Sequence, residues 1–193
     1  MARRALDEVR HSRRCFALAR AYPGLPWSAG AIPELAQERP QQPGPDEGDA
    51  WARLVRGSLL EGCLGEGLAA SVAGEASRRA SGPVVRETLA VISEDEGRHA
   101  ELAWDIIAFA PERGGGKARQ ALRQALDALE TRRTPALPNI PGVDESFLET
   151  NGVLPQPELG RLMDECVQRT RERAGACLEP GRTWWPVPIA RAS

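Results

Sequence analysis

Two five-residue stretches, Asp7-Glu8-Val9-Arg10-His11 and Asp95-Glu96-Gly97-Arg98-His99, follow one pattern, Asp-Glu-x-Arg-His, in a chain that contains 2 histidines. Every imidazole of the protein therefore sits in a copy of the motif. Glu8 to Glu96 and His11 to His99 are each 88 positions. On a helix, a glutamate and a histidine three positions apart project from one face, so each copy offers an oxygen and a nitrogen donor side by side. An oxygen-rich donor set with two imidazoles suits iron or manganese and suits copper(I) or structural zinc poorly. A lone Glu-x-x-His is commonly a solvated face or a local ion pair, but two copies with flanking Asp and Arg repeated are harder to explain that way. For Asp7, Asp95, Arg10 and Arg98 two readings stand. They are helix-surface salt bridges, or they surround the ligands, with Asp accepting the outer N–H of an imidazole and fixing its tautomer.

Helices must position these residues. No run alternates apolar and polar side chains with β-branched enrichment, and aromatic residues make up 5% of the chain, so an all-α protein is expected. A first helix over 3–22 places Glu8, His11, Cys15, Leu18 and Tyr22 on one seam with steps of three and four. Pro23-Gly24 stops it, and residues 23–49, rich in Pro, Gly and Gln, read as a long crossover loop. A second helix over 49–79 carries Trp51, Val55, Leu59, Gly62, Glu66, Ala69 and Ala73 on its seam, an expensive place for an unpaired carboxylate at Glu66. Glu61, on the flank of the same helix, is the second choice. Ser81-Gly82-Pro83 opens a third helix, with Pro in its first turn. Its seam runs Val85, Leu89, Ile92, Glu96, His99, Ala103, Ile106 and Ala110, so both motif residues face inward. Pro111 and Gly114-Gly115-Gly116 end it. Shorter helices are expected over 117–132 and 157–178, and residues 181–193 read as an irregular tail on a single domain spanning 1–180.

Composition narrows the function classes. A formal charge of −2 and a pI near 5.8 leave no electrostatic footprint for nucleic acid or an anionic membrane. Neither a transmembrane stretch nor the apolar region of a signal peptide is present, which reads as a soluble, cytoplasmic protein. The 4 cysteines form no Cys-x-x-Cys, against a zinc ribbon or rubredoxin-type iron site, and buried free thiols are expected.

With 28 residues between Glu66 and Asp95, the chain contains Glu-x28-Asp-Glu-x-Arg-His. This resembles the signature of soluble non-haem diiron proteins of the ferritin-like superfamily, and the stretch from Glu61 to Phe109 is similar to bacterial ferritin-like domain proteins. The resemblance covers residues 2–22 and 51–109 and reaches the C-terminal third only loosely. It implies a ferritin-like helical bundle with one long crossover, and two iron ions, or manganese, held by Glu8, His11, Glu66, Glu96 and His99. It further implies oxidoreductase chemistry with O2 or peroxide. Two other functions remain open: iron sequestration or buffering without an organic substrate, and a degenerate structural bundle that has lost its metal. The family's remaining ligand, a Glu on a helix before the first motif, has no counterpart here, since 6 residues precede Asp7. Glu158 and Glu165 carry no pattern that marks them as substitutes. The bundle is therefore expected to be N-terminally incomplete. Its open face would be filled by residues upstream of Met1, by the helix over 157–178, or by a homodimer partner.

Overall fold

The three-and-four spacing of apolar side chains becomes an all-α arrangement in the computed structural model, which describes residues 2–21, 47–129 and 144–179 and contains no strand among them. Helix α1 spans Ala2–Ala21. A long rod then runs through α2 (Glu47–Gly57), a π-helical stretch (Ser58–Glu66) and α3 (Gly67–Arg79). The backbone stays right-handed helical at both joins, with φ −62° and ψ −45° at Gly57 and φ −62° and ψ −38° at Gly67. Next come α4 (Pro83–Arg113), α5 (Gly115–Leu129), α6 (Glu145–Thr150) and α7 (Gln156–Ala176). Pro83 starts α4 where its missing N–H costs nothing, and Gly115, with φ +63°, turns the chain from α4 into α5.

Most expected elements are present with small boundary shifts, and four differences stand out. Helix α2 begins at Glu47, inside the segment read as crossover; the remainder of that segment, 23–46, the expected last residue of the first helix, Tyr22, and the tail from residue 180 lie outside the described residues. A short helix, α6, forms where none was expected, capped by Asp144, whose carboxylate accepts from the Ser146 amide at 3.1 Å. The π-helical stretch breaks the assumed period: its i→i+5 pattern brings both Leu59 and Leu64 into the core, while Ala69, expected on the seam, is exposed. Finally, α7 packs against α3, α5 and the π-helical stretch rather than against α1, so it does not cover the face of the first motif.

The apolar core lies between the rod, α4, α5 and α7, around Val55, Leu59, Leu64, Ile107, Leu122 and Leu129. A smaller cluster joins Ala76, Leu154 and Leu162. Helix α1 adds no side chain to either cluster; it packs along α4, with Leu6, Val9 and Phe16 exposed on its outer face. Of the four cysteines, Cys63 and Cys166 are buried, Cys177 is half-buried and Cys15, expected on the seam, is exposed. Burial pushes the Cys63 thiol up to about 12, the mark of an inert structural thiol. None of the described helices is long and apolar enough to cross a membrane.

Close approach of the rod to α4 depends on Gly62, where an added Cβ would lie 2.3 Å from the Ala103 Cβ. Gly62→Ala is expected to destabilise the fold by about 1–3 kcal/mol through overpacking. Gly57→Ala, with nothing within 4 Å of the added methyl, should gain up to about 1 kcal/mol of helix propensity. Thermal or urea unfolding of the two variants checks both signs; equal behaviour would contradict the packing.

A second check uses pH. Arg173 of α7 lies 4.4 Å over the Trp104 ring and donates to both Glu101 oxygens at 3.0 Å, which holds the Glu101 carboxyl below its ordinary value. A carboxylate with a lowered folded pKa stabilises fully above its unfolded pKa and loses that contribution as pH falls through the folded value. Glu101→Gln should therefore cost stability at neutral pH, by at most about 1 kcal/mol for so exposed a pair. The difference from wild type should shrink to nothing in acid, below the ordinary carboxylate range.

Candidate metal centre

Helices α1 and α4 lay the two motifs against each other, because in each the Asp, Glu and His share a helical face. Asp7, His11, Asp95, Glu96 and His99 are buried, whereas Glu8 keeps about half of its side chain exposed (51%). The contacts are crossed. His11 Nε2 lies 2.9 Å from Asp95 Oδ2 on α4, and His99 Nε2 lies 3.4 Å from Asp7 Oδ2 on α1. Each Asp is also paired with the Arg three positions on, Asp7 with Arg10 at 3.1 Å and Asp95 with Arg98. Each Asp thus meets both the Arg of its own helix and the His of the other helix. Burial alone would raise the Asp95 carboxyl, but the His11 hydrogen bond and the Arg98 guanidinium outweigh it and hold the group below its ordinary value.

The other ring nitrogens face the glutamates. His11 Nδ1 is 3.2 Å from Glu96 Oε1 and 3.8 Å from Glu8 Oε2. His99 Nδ1 is 3.3 Å from Glu96 Oε2 and 3.6 Å from Glu8 Oε1. Glu8 and Glu96 therefore each turn one oxygen to each imidazole, the layout of carboxylates that bridge two positions. These four separations exceed the roughly 2.7–2.9 Å of a charge-assisted hydrogen bond, and they suit donors arranged around a shared cation. Each imidazole thus turns Nε2 to an Asp carboxylate and Nδ1 to the two glutamates.

Glu66, at the end of the π-helical stretch, joins the group. One donor atom from each of Glu8, Glu66, Glu96 and His99 lies within 4.8 Å of the others. The quartet does not include His11, which meets the same glutamates from the other side. Glu61 is exposed and stands apart from the quartet. Glu66 is ion-paired with Arg4 of α1, a residue the motif reading missed; its only signal was a cation one turn before Glu8 on the same face. No described side chain supplies a further carboxylate to the quartet.

Around the cluster, the five carboxylates of Asp7, Glu8, Glu66, Asp95 and Glu96 face the three guanidiniums of Arg4, Arg10 and Arg98 and two imidazoles. Such a negative excess is stable when cations or protons balance it. Comparison with known proteins adds no relative: no family model, characterised protein or solved structure matches the chain.

Asp7 gives a test of the crossed arrangement that needs no metal. In the presence of a chelator, Asp7→Ala leaves the buried His99 Nε2 without its acceptor and should cost about 1–3 kcal/mol, whereas Asp7→Asn keeps an acceptor oxygen and should cost less. Equal, small effects in thermal unfolding would mean that the contact carries no stability.

Proposed function

We propose that the chain is a ferritin-like protein whose paired motifs hold two iron ions, with manganese as the competing metal, and that it acts as an oxidoreductase on O2 or peroxide. The observation that carries this reading is the way Glu8 and Glu96 each present one oxygen to His11 and one to His99. Iron sequestration without an organic substrate and a metal-free structural bundle are the readings it competes with. The convergence of buried imidazoles and carboxylates argues against the latter, since a bundle with no use for metal gains little from burying such groups.

Iron held by Glu8, His11, Glu66, Glu96 and His99 would supply electrons for the reduction of O2 or peroxide. The protein's own part is to bind and orient. Asp7 and Asp95 face Nε2 of the opposite imidazoles; by accepting a proton there they would leave the Nδ1 lone pair available to a metal. Arg10 and Arg98 hold those Asp side chains in place. Glu8, Glu66, Glu96 and His99 would hold one ion, and His11, which faces Glu8 and Glu96 without Glu66, would serve the second, so two ions would be held unequally. Arg4 competes for Glu66, because a carboxylate engaged by a guanidinium cannot turn the same oxygen to a metal.

Protein purified from iron-replete cells should contain two iron ions per chain by elemental analysis, with one bound more tightly than the other. His99→Ala should lose most of its iron, Glu66→Gln should lose the distinction between the tight and weak ions, and Asp95→Asn should keep more metal than His99→Ala while reacting differently with O2 or peroxide. Metal should also slow amide exchange in α1, which the site ties to α4. Unchanged iron content in His99→Ala would contradict the proposal.

A further inference from the structure

Helices α2 and α5 lie side by side and run in the same direction: Trp51 meets Gly114, just before α5 begins, and Arg56 donates to the side-chain oxygen of Gln124 further along α5 at 3.4 Å. Between the two helices lies a groove of about 540 Å3, within the usual range for small-molecule sites. Arg53 and Arg56 line it from α2, Lys117, Gln120 and Gln124 line it from α5, and all five are exposed. Ala52 and Ala121 complete the lining, so the space between the longer side chains is left open. No residue of the metal cluster reaches it.

The lining carries charge of one sign. Three cations and two carboxamides face the groove, and no carboxylate stands among the described residues that line it. Elsewhere arginines are matched with acids, Arg79 with Glu75 and Glu158, Arg161 with Glu158 and Glu165, and Arg173 with Glu101. Arg53 and Arg56 have no carboxylate of the described residues within ion-pair reach. Lys117 stands in the first turn of α5, which contains no acidic residue. A helix N-terminus attracts an anion, so dipole and lysine favour negative charge at the same end of the groove. From Lys117 to Gln124 the helix advances about 10 Å, which spreads the donors along a line rather than around a point. A monovalent anion leaves two of the three cations unmatched, whereas an elongated anion with charge along its length meets all of them. Guanidiniums bind phosphate oxygens through two N–H donors each, and carboxamides add further N–H groups. No aromatic ring lines the groove, so a base attached to the anion finds nothing to stack on.

We propose that the groove between α2 and α5 binds a linear oligophosphate, held by Arg53 and Arg56 on one side and by Lys117, Gln120 and Gln124 on the other. The site is separate from the metal cluster, and binding there needs no metal.

Tripolyphosphate is titrated calorimetrically into the full-length protein at low ionic strength, with citrate as a compact polyanion and ATP as a triphosphate that carries a nucleoside. Tripolyphosphate should bind at one site per chain, more tightly than citrate and as tightly as ATP, and added salt should weaken it because exposed charges are screened. Arg53→Gln and Arg56→Gln should each weaken it about tenfold through loss of a charge-assisted contact. Gln120→Glu, which puts a carboxylate into the groove from an exposed position, should abolish binding with thermal stability retained. Arg123→Gln removes the same charge from α5 outside the groove and should leave affinity within about twofold, as expected for a distant exposed charge. His99→Ala, altered in the metal cluster, should bind as wild type does. No saturable binding, citrate as tight as tripolyphosphate, ATP far tighter than tripolyphosphate, or equal losses in the Arg123 and groove variants would overturn the proposal. Loss of binding in His99→Ala would also overturn it, since the phosphate would then be held by metal.

Discussion

Helix α1 is attached to the rest of the molecule by charge rather than by apolar burial. It contributes nothing to either hydrophobic cluster, yet it carries half of the crossed network in which His11 meets Asp95 and His99 meets Asp7. Buried ion pairs repay their desolvation only when geometry is good and the remaining donors and acceptors are used. Here each Asp serves both an Arg and a His, and no buried side-chain polar atom among the described residues lacks a partner. The docking of α1, the orientation of both imidazoles and the exposure of Glu8 all follow from this one set of contacts.

The network depends in turn on how closely the rod approaches α4. Gly62 allows contact with Ala103 that any Cβ would obstruct, and the π-helical stretch changes the direction in which the residues after it point. Without that stretch, Leu64 would leave the core face five residues after Leu59, and Glu66 would stand elsewhere relative to Glu96 and His99. Irregular helical segments of this kind are frequent at functional sites because they re-aim a side chain without ending the helix. The core beneath, built from α2, α4, α5 and α7 around residues such as Ile107 and Leu122, keeps this geometry rigid while leaving the α1 side polar and open.

Such an arrangement divides the labour between two faces of α4. Ala100, Trp104 and Glu101 line the side where α7 packs, with Arg173 stacked on Trp104 and paired with Glu101. Asp95, Glu96 and His99 face α1. One helix thereby anchors the scaffold and presents Asp95, Glu96 and His99 to α1, and rigid elements hold side chains more accurately than loops do.

The all-α class, the bounds of most helices and the inward direction of Glu96 and His99 were legible in the sequence, because helical period and helix-breaking Pro and Gly are local properties. The repeated Asp-Glu-x-Arg-His was equally local, and it named the residues that the structure brings together. The sequence could not say that each Asp reaches across to the other helix's imidazole, since both motif residues share a face with their own Arg and the choice depends on how α1 and α4 meet. Nor could it reveal that Arg4 would engage Glu66, that α7 would pack away from α1, or that Ala69 and Cys15 would be exposed. A period of 3.6 assumes a regular helix, and the π-helical stretch over Ser58–Glu66 departs from it. Residue type and spacing thus determined which donors could act together; the distances and partners that make them a site arise only where separate helices touch.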